Sequence, residues 1–276
     1  MSAISAADVA KLRRVTGAGM MDCKKALEEA EGNFDKAIEI IRKKGQAIAN
    51  KRADRDASEG VVLSKVTPDN KTGMMIALNC ETDFVAKNAD FIAFAYTILD
   101  KALASGSKTL EEVLALDLGG RTVAEKVVEQ IGVIGEKIEL SYFARIDADH
   151  IQPYIHPGNK LATMAGFNKA GIDIQVYKDI AMQIAAMNPV SLDKNDVPEK
   201  VLATEVEIAK EQARREGKPE AMLEKIAEGK LNKFYKESTL LNQEFVKDNK
   251  MTIRQYLQSI QKELTVTAFV RYTLNL

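Results

Sequence analysis

The sequence predicts an α+β protein, and three observations carry that prediction. The first 45 residues show helical periodicity only, interrupted by glycine-bearing breaks. From residue 60 onward, short period-two runs alternate with helical stripes. Two distant segments, KIELSYFAR (137–145) and KELTVTAFVR (262–271), resemble each other. Each places a phenylalanine two residues before an arginine, Phe143 with Arg145 and Phe269 with Arg271, so each pair shares one strand face. Two related α+β halves follow, each a small antiparallel sheet with helices on one side. Two copies are too few for a solenoid.

The N-terminal stretch reads as three short helices. SAAD (5–8) is a capping-box start, with Val9, Leu12 and Val15 on one face. TGAG (16–19) breaks that helix. Asp22 is placed to cap the second, whose apolar side is Cys23, Ala26, Leu27 and Ala30. Gly32 and Asn33 punctuate again, and Phe34, Ala37, Ile38 and Ile41 mark a third helix stopping near Gly45. Three helices make a very small core, of the kind used as a docking module. Residues 42–58 are highly charged and weakly periodic, and read as a helix end running into a linker.

The first half then opens with a hairpin: 60–67 and 74–80 flank the turn PDNKTG (68–73). Met74, Ile76, Leu78 and Cys80 fall on one face of its second strand. A helix follows over about 89–104, with Phe91, Phe94, Ile98 and Leu99 inward. Next come a smaller helical element, a helix near 121–131 and a strand over 137–147. The second half repeats this with a hairpin over 151–168 around HPGNK (156–160), a helix near 174–187 and a closing strand at 264–274. It carries an insertion at 198–236, strongly helical and charged. Leu202, Val206, Ala209 and Ala213 form one stripe; Leu223, Ile226, Ala227, Leu231 and Phe234 form another. EGKP (216–219) between them stops one helix and starts the next, giving an antiparallel helical hairpin. It either packs on its own half or projects as an arm for a partner or for self-association.

Composition narrows the function. The 276-residue chain carries 39 Lys/Arg and 40 Asp/Glu, formal net charge −1 with histidines neutral, which excludes a globally basic nucleic-acid binder. Residues 1–55 hold 12 basic and 8 acidic residues, against 27 and 32 in the remainder. Cys23 and Cys80 make no disulfide framework and suit a reducing cytosol. The N-terminus has neither the apolar run of a secretory signal nor the acid-poor look of a transit peptide, and no stretch approaches the ~20 apolar residues of a membrane span. A soluble, cytoplasmic protein is expected.

Chemistry is sparse. No GxxxxGK[ST], GxSxG or HExxH occurs, and GAGMMD (17–22) puts Asp where GxGxxG needs its third glycine, with no strand before it. Two histidines, His150 and His156, and two isolated cysteines give no metal-ligand spacing. The basic segment 42–55 has six Lys/Arg and no aromatic for base stacking. A solvated linker is its plainer reading; an RNA-associated scaffold is the alternative. Neither a catalytic residue, a metal nor a cofactor is expected, and an enzyme is poorly supported. What remains is a protein of several docking surfaces.

LRRVTGAGMMDCKKALEEAEGNFDKAIEIIRKKG (12–45) and LNCETDFVAKN (78–88) resemble the elongation factor Ts family of bacterial translation factors. The agreement in order of elements extends to about Tyr272. The expected organisation is then a three-helix, UBA-like docking module with linker (1–55), a first core subdomain (56–147) and a second (148–276) with the hairpin inserted at 198–236. The resemblance implies a non-enzymatic guanine-nucleotide exchange factor for elongation factor Tu, the GTPase that delivers aminoacyl-tRNA. It implies that Thr82, Asp83, Phe84 and Val85 disturb the partner's Mg²⁺ site, with Phe84 wedging between helices of the GTPase. Arg13, Met20 and Met21 would dock on the nucleotide-binding domain. His156 matches a family histidine near the partner's phosphate loop, although HPGNK departs from the commoner His-Gly pattern. Some members continue past the last strand into a C-terminal helix; this chain ends at Leu276, so that contact is expected to be absent. No direct nucleic-acid or membrane partner is expected. Periodicity alone leaves Phe84 outside both neighbouring apolar stripes and its direction open; the resemblance turns it outward.

Overall fold

The computed structural model describes residues 4–274; the chain end at Leu276, on which the expected absence of a further helix rests, lies outside them. Three N-terminal helices, α1 (Ala6–Thr16), α2 (Met20–Glu29) and α3 (Phe34–Arg52), enclose a small core of Leu12, Cys23, Leu27 and Ala37. The capping box forms as expected: Ser5 Oγ accepts from the Asp8 amide at 3.1 Å and the Asp8 carboxylate accepts from the Ser5 amide. Asn33 caps α3, accepting from the Lys36 amide at 3.0 Å. Two expectations fail. Val15 is 59% exposed, because α1 turns its Val9 and Leu12 edge inward and ends one residue after Val15. Asp22 does not cap α2: Gly19 is the N-cap, and Asp22 pairs with Lys44 of α3 instead.

The first sheet is antiparallel, in the order β1 (Glu59–Val66), β2 (Thr72–Cys80), β3 (Glu139–Asp147). Between β2 and β3 run α4 (Asp83–Ala86), α5 (Ala89–Ser105), α6 (Leu110–Ala115) and α7 (Val123–Ile134). Strand alternation splits β2 between two cores. Met74, Ile76, Leu78 and Cys80 pack against Phe91, Ile98, Leu99 and Ile131 of the helices. Met75 and Ala77 face the opposite way.

That opposite face meets the second sheet, β4 (His150–Ile155), β5 (Leu161–Phe167) and β8 (Val266–Thr273), again antiparallel in that order. Val62, Met75 and Ala77 pack on Ile151, Ala162 and Met164, and Tyr142 stacks on Tyr272 with ring centroids 3.9 Å apart. α8 (Ile174–Met187) covers the second sheet's outer face. The layers are therefore helix, sheet, sheet, helix.

The inferred repeat is structural. Each central strand meets its third strand through a one-residue register shift, at Ala77/Leu78 and at Gly166/Phe167. The paired arginines do the same work: Arg145 donates to the Gly106 carbonyl at 2.6 Å, just past α5, and Arg271 to the Ala185 carbonyl at 3.3 Å, in the last turn of α8. A cation over a helix C-terminus satisfies its open carbonyls and its dipole.

The insertion is a helical hairpin of α9 (Glu199–Arg215) and α10 (Glu220–Ser238). Its stripes meet each other, burying Ala209, Ala213, Leu223 and Ala227, and its base is tied by the Val190 amide to the Ser238 carbonyl at 2.8 Å. Residues 239–263, to which periodicity assigns no element, hold β6 (Glu244–Phe245), β7 (Asp248–Thr252) and α11 (Ile253–Ile260), the last opened by a Thr252/Gln255 capping box.

The main correction concerns residues 42–58. The expected stop at Gly45 and the linker after it are absent over 42–52: α3 runs on to Arg52, and Ile48 and Ala49 pack on the first half's core. Gly45 is a contact residue. α7 crosses α3 there, and a Cβ built on Gly132 would lie 2.7 Å from the Cα of Gly45. Glycine inside a helix costs about 1 kcal/mol relative to alanine, and here it allows two helix backbones to touch.

Candidate partner-docking site

Where β2 ends, the chain enters the four-residue helix α4. Thr82 caps it, its Oγ1 accepting from the Val85 amide at 3.4 Å. Val85 and Ala86 turn onto the first core. Phe84 points the other way and is 83% exposed, a large apolar ring left in water with the core one residue away. A single isolated turn has little stability of its own, so its support comes from outside.

That support is a pair of laced loops. Glu136, two residues past α7, accepts at Oε1 from the Thr82 hydroxyl at 2.7 Å, and at Oε2 from the amides of Thr82 at 3.0 Å and Glu81 at 3.1 Å. In return the Lys137 amide donates to Glu81 Oε1 at 2.6 Å. Arg52, at the end of α3, donates to both Glu81 oxygens at 2.8 and 2.9 Å. The Lys137 amide, and then the Arg52 guanidinium, hold the Glu81 carboxyl below its usual range. Beneath the turn Cys80 donates to the Thr82 carbonyl at 3.2 Å. Burial, with Glu136 and Glu59 nearby, pushes its thiol up to about 12, so it stays protonated and is no nucleophile.

Asp83 forms an i,i+4 pair with Lys87 at 2.6 Å. Its carboxyl is held low by the Lys87 hydrogen bond, with the charge of Lys160 adding to it. Lys160 belongs to the β4–β5 turn that carries His156, and pairs with Glu59 of β1 at 2.8 Å. The Val62 amide also donates to the Asn159 carbonyl at 2.6 Å. His156 is exposed, its Nδ1 within 2.9 Å of the Tyr154 hydroxyl. The structure thus brings Thr82, Asp83, Phe84, Val85 and the His156 turn to one end of the molecule, although they come from different halves.

Arg13, Met20 and Met21 form a second exposed group at the α1–α2 turn, with the methionines 56% and 64% exposed. This turn lies on α7: a Cβ at Gly17 would sit 3.5 Å from a Val133 methyl. Val133 precedes Glu136 by three residues. The C-terminal end of α7 therefore borders the α1–α2 turn at Val133 and, through Glu136, the Phe84 turn.

Among the described residues, no group of three or more His, Cys, Asp or Glu side chains is placed to hold a metal ion, and no helix is long and apolar enough to cross a membrane. The model of the family described as Elongation factor TS matches residues 81–275, most of the chain. The chain belongs to the elongation factor Ts family. It is 54% identical to the elongation factor Ts of Porphyromonas gingivalis over 276 residues, covering 99% of both chains. With that of Christiangramia forsetii it shares 52% over 276 residues, 99% of this chain and 100% of the relative. These alignments span the N-terminal helices that precede the family match. By that membership it is a translation elongation factor of protein biosynthesis.

In this chain, sequence reasoning finds the exposed residues but misses their supports. Glu136, Glu81, Arg52 and Lys160 carry no motif of their own, because their partners lie 29 to 101 positions away. One signal was available: Glu81 stands inside the CETDFVAKN segment that carries the resemblance.

Proposed function

We propose that this elongation factor is the guanine-nucleotide exchange factor of elongation factor Tu, and that it promotes GDP release by driving Phe84 and Asp83 against the partner's Mg²⁺ and phosphate site. The observation that carries the reading is Phe84 itself, exposed on a turn laced from behind. An aromatic side chain presented to solvent on a fixed turn fits insertion into a partner. The reaction class is exchange by binding, with no covalent step.

A GTPase of this kind grips GDP through backbone amides, a lysine and Mg²⁺ bridging phosphate oxygens. The factor must bind the empty state better than the loaded one, and by linkage it weakens GDP as much as GDP weakens it. A preference of roughly 10⁴-fold corresponds to about 5.5 kcal/mol. Burying one phenylalanine supplies about 1.5–3 kcal/mol, so the other surfaces must hold the wedge in place. Arg13, Met20 and Met21 are proposed as one docking surface and His156 as another. Methionine suits such a role through its adaptable side chain. Asp83 is ionised and already bonded to Lys87, so it reaches partner donors by exchanging that neighbour. The site of action is proposed to be the cytoplasm, where translation elongation runs.

The test is stopped-flow release of a fluorescent GDP from elongation factor Tu. Phe84→Ala should slow stimulated release while the fold by circular dichroism is unchanged; an unchanged rate removes the wedge. The RNA-scaffold alternative has no observation in its favour. Four of its six cations are ion-paired within the chain: Arg42 with Glu125, Lys43 with Glu39, Lys44 with Asp22, and Arg52 with Glu81. Self-association through 198–236 would have to use Ile208 and Met222, which the hairpin leaves exposed.

A further inference from the structure

Phe84 stands on a turn that four residues of α-helix cannot hold by themselves. The chain's own core grips only Val85 and Ala86 behind it. The segment in front, Glu81 and Thr82, lies past the end of β2, where no strand partner remains for its amides. One side chain takes over both of those amides and the Thr82 hydroxyl as well: Glu136. Charge-assisted bonds to backbone amides are stronger and more directional than neutral ones. Two of them, with a third bond from the Thr82 hydroxyl, on one carboxylate fix the position and the orientation of the residue just before Asp83.

We propose that Glu136 is the positioning residue of the Phe84 turn, holding the ring in the attitude from which it enters the GTPase. The inference rests on the exchange-factor reading given above. Glu136 touches neither Phe84 nor, on this account, the nucleotide site. It acts through Thr82, whose hydroxyl donates to Glu136 and accepts from the Val85 amide on the far side of Phe84. The ring is thereby bracketed by a single chain of hydrogen bonds. Glu136 also leaves α7 just beyond Val133, against which the methionine-bearing turn lies. A partner that seats on Met20 and Met21 therefore meets a wedge whose position is referred to the same helix end.

The experiment uses full-length chains with elongation factor Tu loaded with fluorescent GDP. Four variants are compared: Glu136→Ala, Glu136→Asp, Glu136→Gln and Phe84→Ala, with the Glu136→Ala/Phe84→Ala double variant. Glu136→Ala should lower the stimulated GDP release rate about tenfold, the rate equivalent of losing one or two net hydrogen bonds. Affinity for nucleotide-free elongation factor Tu should fall much less. Amide hydrogen exchange should accelerate at 81–86 and not in the sheets. Glu136→Gln should retain most of the rate, since its carbonyl can keep the two amides while its NH₂ donates to Thr82. Glu136→Asp, one carbon short, should behave like Glu136→Ala and serves if the alanine variant does not fold. In the Phe84→Ala background, Glu136→Ala should add little.

A Glu136→Ala chain with loosened 81–86 amides and wild-type GDP release overturns the positioning role, as does a loss that simply adds to that of Phe84→Ala. A wild-type rate from Phe84→Ala itself sinks the wedge, and this role with it. Loss in Phe84→Ala without loss in the Glu136 variants sinks this role alone.

Discussion

His150 lies flat on Tyr177, ring centroids 3.7 Å apart and 16° from parallel, with its Nε2 buried and without a hydrogen-bond partner among the described residues. Burial pulls its pKa below the ordinary 6.5. The groups facing it are Phe167 and Tyr177, and the Tyr177 hydroxyl is occupied, donating to the Lys169 carbonyl at 2.7 Å and accepting from the Ile172 amide at 3.2 Å. A base with a depressed folded pKa contributes stability that is complete above its unfolded value and is lost as pH falls through the folded one. The second half should therefore weaken as pH falls below the ordinary value of about 6.5. Thermal melts at pH 7.5 and 5.5 should show a drop in Tm that His150→Phe removes. An equal drop in both chains would mean that other groups carry the acid sensitivity.

The α3–α7 crossing makes an asymmetric prediction. A Cβ on Gly45 meets Gly132 Cα at 3.6 Å, an ordinary contact, whereas a Cβ on Gly132 meets backbone at 2.7 Å. Gly45→Ala should be neutral or stabilising by up to about 1 kcal/mol through helix propensity. Gly132→Ala should force the helices apart and destabilise by about 1–3 kcal/mol. Urea melts of the two variants read the difference directly, and equal effects would mean that the crossing is loose.

The two repeat arginines should differ in weight. Arg145 bonds the Gly106 carbonyl and also reaches Asp147 at 2.9 and 3.0 Å, while Arg271 donates to the Ala185 carbonyl at 3.3 Å. Arg145→Ala should cost about 1.5–3 kcal/mol, the range for hydrogen bonds to charged groups, and Arg271→Ala about half that. Chemical denaturation checks the order, and a reversed order would mean that the Asp147 pair is worth nothing.

Exposure separates two phenylalanines seven residues apart. Phe84→Ala should leave Tm within a degree or two, since surface substitutions stay within about ±0.5 kcal/mol. Phe91→Ala, which empties a fully packed site in the first core, should cost about 3–5 kcal/mol. Calorimetry on both variants tests the assignment, and a large loss from Phe84→Ala would make that ring structural.

Local chemistry was legible in the sequence. The Ser5/Asp8 box, the hairpin turn and the paired Phe and Arg of the closing strands are short-range patterns; the box and the pairs sit where their patterns put them, and the turn is tighter than 68–73, with Thr72 and Gly73 already in β2. Gly45 is ambiguous in the sequence because a glycine that ends a helix and one that lets two helices touch look alike without the second helix. Asp22 has the position of a cap in the sequence, and its actual partner, Lys44, belongs to another helix. The direction of Phe84 was open from periodicity, since a four-residue helix is shorter than any period it could display. Its support by Glu136 was invisible: a carboxylate 54 residues away has no spacing rule.

The apolar face shared by the two sheets, built from Met75 and Ala77 on one side and Ile151 and Met164 on the other, has the form of a dimer interface between two half-length copies. Because both halves belong to one chain, they meet at a permanent effective concentration. The Phe84 turn belongs to one copy and the His156 turn to the other, so the spacing between the two survives at any dilution of the protein.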